Sequence, residues 1–151
     1  MRALIQRVTS ASVSTEGKDA HTIGTGFCIL LGVGPDDTEE VAEKLWNKIS
    51  KLRIFEDENG KTNLSLRDVH GEVLLVSQFT LYADCRKGNR PSFTKGAAPD
   101  EANRLYEYFA SLVRNDGIAL QTGWFGAMMD VQITNNGPFT IWLDSNELIK
   151  R

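Results

Sequence analysis

The chain is poor in the residues on which most hydrolytic and metal-dependent chemistry relies. Among 151 residues there are two histidines, His21 and His70, and two cysteines, Cys28 and Cys85. A Ser-His-Asp or Cys-His unit needs a histidine held by a third group. Both histidines lie among turn-like residues and read as surface side chains. There is no His-x-x-x-His or Cys-x-x-Cys pair to hold a metal, so neither a metal nor another cofactor is expected. Gly24-Thr25-Gly26 and Gly32-Val33-Gly34-Pro35 are glycine-containing turns, but neither completes a phosphate-binding motif. No apolar run reaches the roughly 18 residues of a membrane span. Arg7 arrives too early for the apolar region of a secretory signal. A cytoplasmic location without a membrane partner is therefore expected. The formal net charge of −3 argues against the basic face of a broad nucleic-acid binder. No DNA partner is expected, while contact with one end of an RNA stays open.

What is present fits an ordinary globular composition, 41% hydrophobic and 25% charged, without linker, repeat or low-complexity stretch. One domain over 1–151 is expected. Ala3 to Ser14 alternates apolar and polar residues, which predicts a strand. Gly26 to Val33 is a continuous apolar run that predicts a buried strand paired with the first, with Cys28 as a core thiol. Asp36 to Leu52 has helical spacing, with Asp37 and Glu40 in a capping pattern. Glu72 to Ala83 predicts one long strand, and Asp84 to Ala98 a loop rich in Arg, Lys, Gly and Asn. A second helix starts at Pro99 and stops near Gly117. Ile118 to Leu143 reads as strands, with Asn135-Asn136-Gly137-Pro138 separating the last two. The order is β-β-α-β-α-β-β-β. It describes an α/β fold: a layered α/β/β domain with a mixed, largely antiparallel, barrel-like sheet and two helices on one side.

Two segments stand out chemically. Ser77-Gln78-Phe79-Thr80-Leu81 places three polar side chains inside an apolar strand, where burial costs about 1–3 kcal/mol for each group left without a partner. On alternation, Ser77 and Gln78 face opposite sides and Thr80 lies on the side of Gln78. The segment is either a solvated strand end or a polar pocket floor of hydroxyls, an amide and backbone N–H groups. Asn135-Asn136-Gly137-Pro138-Phe139-Thr140 carries a Gly-Pro turn signal. It is either an ordinary trans turn or, with a cis bond, a rigid pair of nearly parallel carbonyl acceptors.

At these segments the sequence resembles the bacterial and eukaryotic D-aminoacyl-tRNA deacylase family. The resemblance runs through Ala3-Leu4-Ile5-Gln6-Arg7-Val8, Arg53-Ile54-Phe55, Ser77-Gln78-Phe79-Thr80-Leu81, Arg90-Pro91-Ser92-Phe93-Thr94-Lys95-Gly96-Ala97, Gln121-Thr122-Gly123 and Asn135-Asn136-Gly137-Pro138, in the family's order. Phe139 stands where the family often has valine. The resemblance implies a homodimer with active sites at the interface, Ser77-Gln78-Phe79-Thr80 of one subunit meeting Gly137-Pro138 of the other. It implies a cis Gly-Pro bond whose carbonyls exclude L-residues and admit D-residues and glycine. Arg7 and Met129 would brace that turn, with Asn135 beside it. The implied substrate is the ester on the 3′ acceptor end of tRNA carrying a D-amino acid, or glycine mischarged on tRNA(Ala). Its own 2′-OH would assist a water, while backbone N–H groups of Phe79 and Thr80 stabilise the oxyanion. Thr80 as covalent nucleophile is the alternative, though no base is in view. Arg86, Lys87, Arg90 and Lys95 would hold acceptor-end phosphates, or else form a solvated charged loop. Three rival readings are a thiol hydrolase using Cys85, a non-catalytic RNA-binding protein, and a free-standing editing module.

Overall fold

The computed structural model describes residues 1–149. Its first strand, β1 (Arg2–Ser14), is the spine of a six-stranded sheet completed by β2 (His21–Ile23), β3 (Gly26–Gly32), β6 (Glu72–Ser77), β7 (Leu120–Thr122) and β8 (Asp130–Asp144). β1 pairs antiparallel with β2, β3 and β8, whereas β3–β6 and β6–β7 are parallel. A parallel neighbour needs a crossover. Here the two crossovers contain the long helices, α1 (Glu39–Ser50) between β3 and β6 and α2 (Pro99–Asn115) between β6 and β7. Phe55–Glu56 and Thr62–Leu64 form a small separate hairpin, β4–β5. A third, four-residue helix, α3 (Ser145–Leu148), adds to the two expected.

Both faces of the sheet are covered. Along β3 and β6, odd-numbered Phe27, Ile29, Leu31, Val73 and Leu75 join Leu45, Trp46, Ile49, Leu105 and Phe109 of the helices in one core. Even-numbered Cys28, Leu74 and Val76 join Val8, Ala11, Val13 and Ile23 in a second. Period-two alternation with apolar residues on both sides explains why these strands are continuous hydrophobic runs. Burial pushes the Cys28 thiol up to about 12, so it stays protonated and packs as a small apolar group. β1 serves both cores in turn: Ala3 and Ile5 face the helices, Val8, Ala11 and Val13 the second core. The change of phase falls where the β1–β8 ladder slips. Gln6 pairs with Thr140, but Val8 already pairs with Asn135, so Asn136–Phe139 bulge out of β8 opposite Arg7.

Three boundaries depart from the expectation, each for a tertiary reason. The Asp37 carboxylate is occupied by the Met1 ammonium (2.7 Å) and the Gly34 N–H (2.6 Å), so Thr38 caps α1 instead. The helix accordingly starts at Glu39, later than Asp36. β6 stops at Ser77, and the rest of the expected strand is a single 3₁₀ turn, Phe79–Tyr82. Gly32 and Gly34 leave the room that the turn fills: a Cβ on Gly34 would lie 2.8 Å from the Tyr82 hydroxyl, and one on Gly32 3.0 Å from the Gln78 carbonyl. Finally, Asn135–Pro138 does not separate two strands. It is a bulge within one strand, because β1 is long enough to pair with β8 on both sides of it.

At Gly26 a Cβ would stand 1.8 Å from the Glu72 carbonyl oxygen. Gly26→Ala must therefore push β3 and β6 apart. A loss of about 3 kcal/mol or more is expected, read as a lower urea midpoint. An unchanged midpoint would contradict this packing.

Candidate active site

Of the polar groups in the Ser77–Thr80 segment, Ser77 ends β6, while Gln78 and Thr80 meet just beyond the strand. Gln78 donates its N–H to the Leu31 carbonyl at 2.8 Å, holding the start of the turn to β3. Its side-chain amide donates to the Thr80 hydroxyl, so Gln78 and Thr80 are brought together by a turn and not by strand alternation. An amide is no base in either orientation. Both histidines are engaged elsewhere: His21 Nδ1 lies 2.6 Å from the Thr122 carbonyl with its ring against Trp124, and His70 sits in a turn at φ 53°. The N–H groups of Phe79 and Thr80, first in the 3₁₀ turn, have no carbonyl partner among the described residues. The Phe79 side chain is 60% exposed and meets Phe93 edge-on at 5.3 Å.

The second segment is built around Arg7, a cation only 6% exposed with no carboxylate partner among the described residues. Carbonyls and a ring satisfy it instead. Nε donates to Asn136 O at 3.0 Å, Nη1 donates to Ile54 O at 2.7 Å, and the guanidinium carbon stands 4.7 Å from the centre of the Phe139 ring. Asn135 ties the same corner from within: Oδ1 accepts the Phe139 N–H at 2.6 Å, and Nδ2 donates to Thr140 Oγ1 at 2.9 Å. The Gly137–Pro138 peptide is cis. Gly137 has φ +133°, and a Cβ there would press on Arg7 Nη2 at 3.0 Å. The result is a stiff corner whose Asn136, Gly137 and Pro138 remain exposed. Within one chain, no hydrogen bond joins this corner to the Gln78–Thr80 turn among the described residues. Met129 packs in the second core, its sulfur accepting the Trp124 N–H at 3.3 Å.

The basic loop is less free than its sequence suggests. Asp84 and Ser92 form a two-way backbone bridge at 2.7 and 2.9 Å. The Asp84 carboxylate then takes Arg86 in a fork at 2.9 and 2.8 Å, with Lys95 at 3.4 Å. These donors hold the Asp84 carboxyl well below the usual carboxylate range, hydrogen bonds from Arg86 being the main cause. Lys87 and Arg90 are exposed and form no ion pair among the described residues. Cys85 is exposed on the same loop, and no cluster of three or more metal-ligating side chains occurs among the described residues.

The family profile described as D-Tyr-tRNA(Tyr) deacylase matches residues 4–144. The chain belongs to this family. A relative from Bacillus pumilus named D-aminoacyl-tRNA deacylase is 58% identical over 147 residues, covering 97% of this chain and all of that one (100%). Among solved structures, a c-Myc DNA Unwinding Element Binding Protein superposes with TM-score 0.88 at 42% identity, over 95% of this chain and 98% of the other. A structure described as a probable eukaryotic D-amino acid tRNA deacylase gives TM-score 0.82 at 19% identity, over 94% and 97% of the two chains, a likeness of fold.

Sequence reasoning missed the organising role of Asp84. The only local signal was an acid two residues before Arg86 at the mouth of a basic loop. It also missed the Ile54 carbonyl, the second anchor of Arg7, because a backbone acceptor leaves no trace in residue type. Arg7→Lys should expose what this cation does. One ammonium cannot span both carbonyls and lie on Phe139. A loss of about 1.5–3 kcal/mol is expected from the urea midpoint, with faster hydrogen exchange at the Phe139 N–H. Unaltered exchange there would remove Arg7 as the brace of the corner.

Proposed function

We propose that the chain hydrolyses the ester of D-aminoacyl-tRNA, releasing the D-amino acid and leaving a free 3′-terminal hydroxyl on the tRNA. Family membership supports the reaction class. The observation that carries the mechanism is the pairing of a base-free polar turn with an exposed, stiff backbone corner. In the working enzyme two chains form a homodimer, and the corner of one reaches the Ser77–Thr80 turn of the other. The exposure of Phe79 at one segment and of Gly137 and Pro138 at the other supports this arrangement.

Each part then has a task. The corner, held by Arg7 and Asn135, stands beside the α-carbon and leaves no room for an L side chain. A D side chain points away, and glycine has none to reject, so glycine mischarged on tRNA(Ala) is also a substrate. The ester is activated, and the neighbouring 2′-OH of the terminal ribose positions the attacking water. The unpartnered N–H groups of Phe79 and Thr80 receive the developing oxyanion. Gln78 orients the Thr80 hydroxyl, and this hydrogen-bond partner is an amide and not a base, which favours water over Thr80 as nucleophile. Any action of Met129 on the Gly137–Pro138 corner would pass through packing in the second core, since its sulfur is engaged by the Trp124 N–H. No helix among the described residues is long and apolar enough to cross a membrane. The proposed site of action is the cytoplasm, because the substrate, charged tRNA, is made there.

The test is release of labelled amino acid from D-Tyr-tRNA and L-Tyr-tRNA. Fast release from the D ester alone is expected. No release from either would leave a tRNA-end binder. Thr80→Ala should retain turnover, and its complete loss would count for a covalent threonine. Cys85→Ser should leave the rate unchanged, since loss there would favour a thiol hydrolase.

Of the loop cations, Lys87 and Arg90 are the ones left to meet phosphates. The double variant Lys87→Ala/Arg90→Ala should raise KM and reduce the slope of log KM against log salt by about one to two units. Arg86→Ala should act mainly on loop order. An unaltered salt slope in the double variant would assign acceptor-end contact to another surface.

A further inference from the structure

The 3₁₀ turn that carries Phe79 and Thr80 is short, and few internal hydrogen bonds hold it. Leu81 N–H reaches Gln78 O at 3.2 Å and Ala83 N–H reaches Thr80 O at 3.0 Å. Donors meant for a transition state must be fixed to within about half an ångström, so the turn needs outside supports. Its start is fixed by the Gln78–Leu31 bond. At its end Tyr82 is seated against Gly32 and Gly34, and the Leu81 carbonyl is held by Arg2. Nη1 of Arg2 donates to the Leu81 carbonyl at 2.8 Å, while Nε donates to Asp144 Oδ2 at 3.1 Å. The guanidinium lies 4.3 Å from the centre of the buried Tyr82 ring, and that of Trp142 is 5.7 Å away. A planar fork gripped at two of its three nitrogens and stacked on an aromatic face has little freedom.

We infer that Arg2 is a positioning residue of the reaction. Its guanidinium, acting through the Leu81 carbonyl, sets where the Phe79 and Thr80 N–H groups point. Arg2 comes from β1, and Asp144 and Trp142 from β8, the two strands that also carry Arg7 and the Gly137–Pro138 corner. The turn and the corner are therefore both referenced to the β1–β8 ladder. Arg2 and Asp144 lie at one end of it, where Arg2 pairs with Asp144, and the bulge lies further along, between Gln6 and Val8. Arg2 touches neither ester nor RNA in this scheme, so its removal acts on the chemical step and spares binding.

The inference rests on the deacylase reading, and the experiment separates the two. Wild-type protein that releases nothing from D-Tyr-tRNA would sink that reading and this inference with it. With active wild type, Arg2→Ala should lower kcat about tenfold to a hundredfold while KM stays within about twofold. Millimolar guanidinium, far below denaturing levels, should restore part of the lost kcat in Arg2→Ala and have no effect on wild type. Arg2→Lys, with one donor in place of a fork, should fall between. A folded Arg2→Ala with unchanged kcat overturns the inference, as does a loss that falls on KM or that guanidinium does not relieve. If Arg2→Ala is insoluble, Asp144→Asn decides: it keeps the Leu81 bond but loosens the fork, so a smaller fall in kcat at constant KM is expected, and no fall overturns the inference.

Discussion

The site depends on a charge buried without a counter-charge. Removing a guanidinium from water is costly unless its donors are met. Arg7 meets them with main-chain oxygens, of Asn136 in the bulge of β8 and of Ile54 before the small hairpin. A carboxylate would have satisfied the cation equally well, but it would have left the backbone free. Two carbonyls as partners make the cost of burial depend on where the main chain runs. If the corner drifts, a buried donor is orphaned at about 1–3 kcal/mol. Stiffness at Asn136–Phe139 is thus enforced by the core.

The same economy recurs in the sheet. β1 lies under the helices in its first half and under the second core in its later half, with the bulge marking the exchange. A protruding corner arises there because β8 has more residues than β1 can match. The glycines at the end of β3 have a comparable effect on the other segment. By making room for Tyr82, Gly32 and Gly34 let the chain leave β6 as a tight turn. Both candidate elements are therefore departures from regular pairing, produced where a ladder is forced to slip or stop.

This explains what could be read from residue order. The pairing of β1 with β3 and the start of α2 at Pro99 follow from alternation, apolar runs and the place proline takes in a first helical turn, and both are found. The polar groups at Ser77, Gln78 and Thr80 were visible as oddities within an apolar segment and the Gly-Pro pair as a turn signal, and the resemblance to the family attached an expected role to both. The 3₁₀ turn was not legible, because Phe-Thr-Leu-Tyr favours a strand and only distant glycines bend it. The first turn of α1 was misplaced because Asp37 had been recruited by the distant Met1 ammonium and by the Gly34 N–H just before it. The bulge depends on register, which no single strand encodes. Arg2 escaped notice because its partners include a carbonyl and an aromatic face.

The clamp at Asp84 has a consequence for how long a polyanion would linger. Four cations are spread over the loop sequence, yet one carboxylate already holds Arg86 and Lys95, leaving Lys87 and Arg90 to attract a sugar–phosphate chain. So shallow an electrostatic well favours rapid dissociation over tight retention. Under the proposed reaction, molecules carrying the wrong stereochemistry for cleavage would be sampled and let go quickly, and discrimination would fall on shape at one carbon, with little contribution from grip on the nucleic acid.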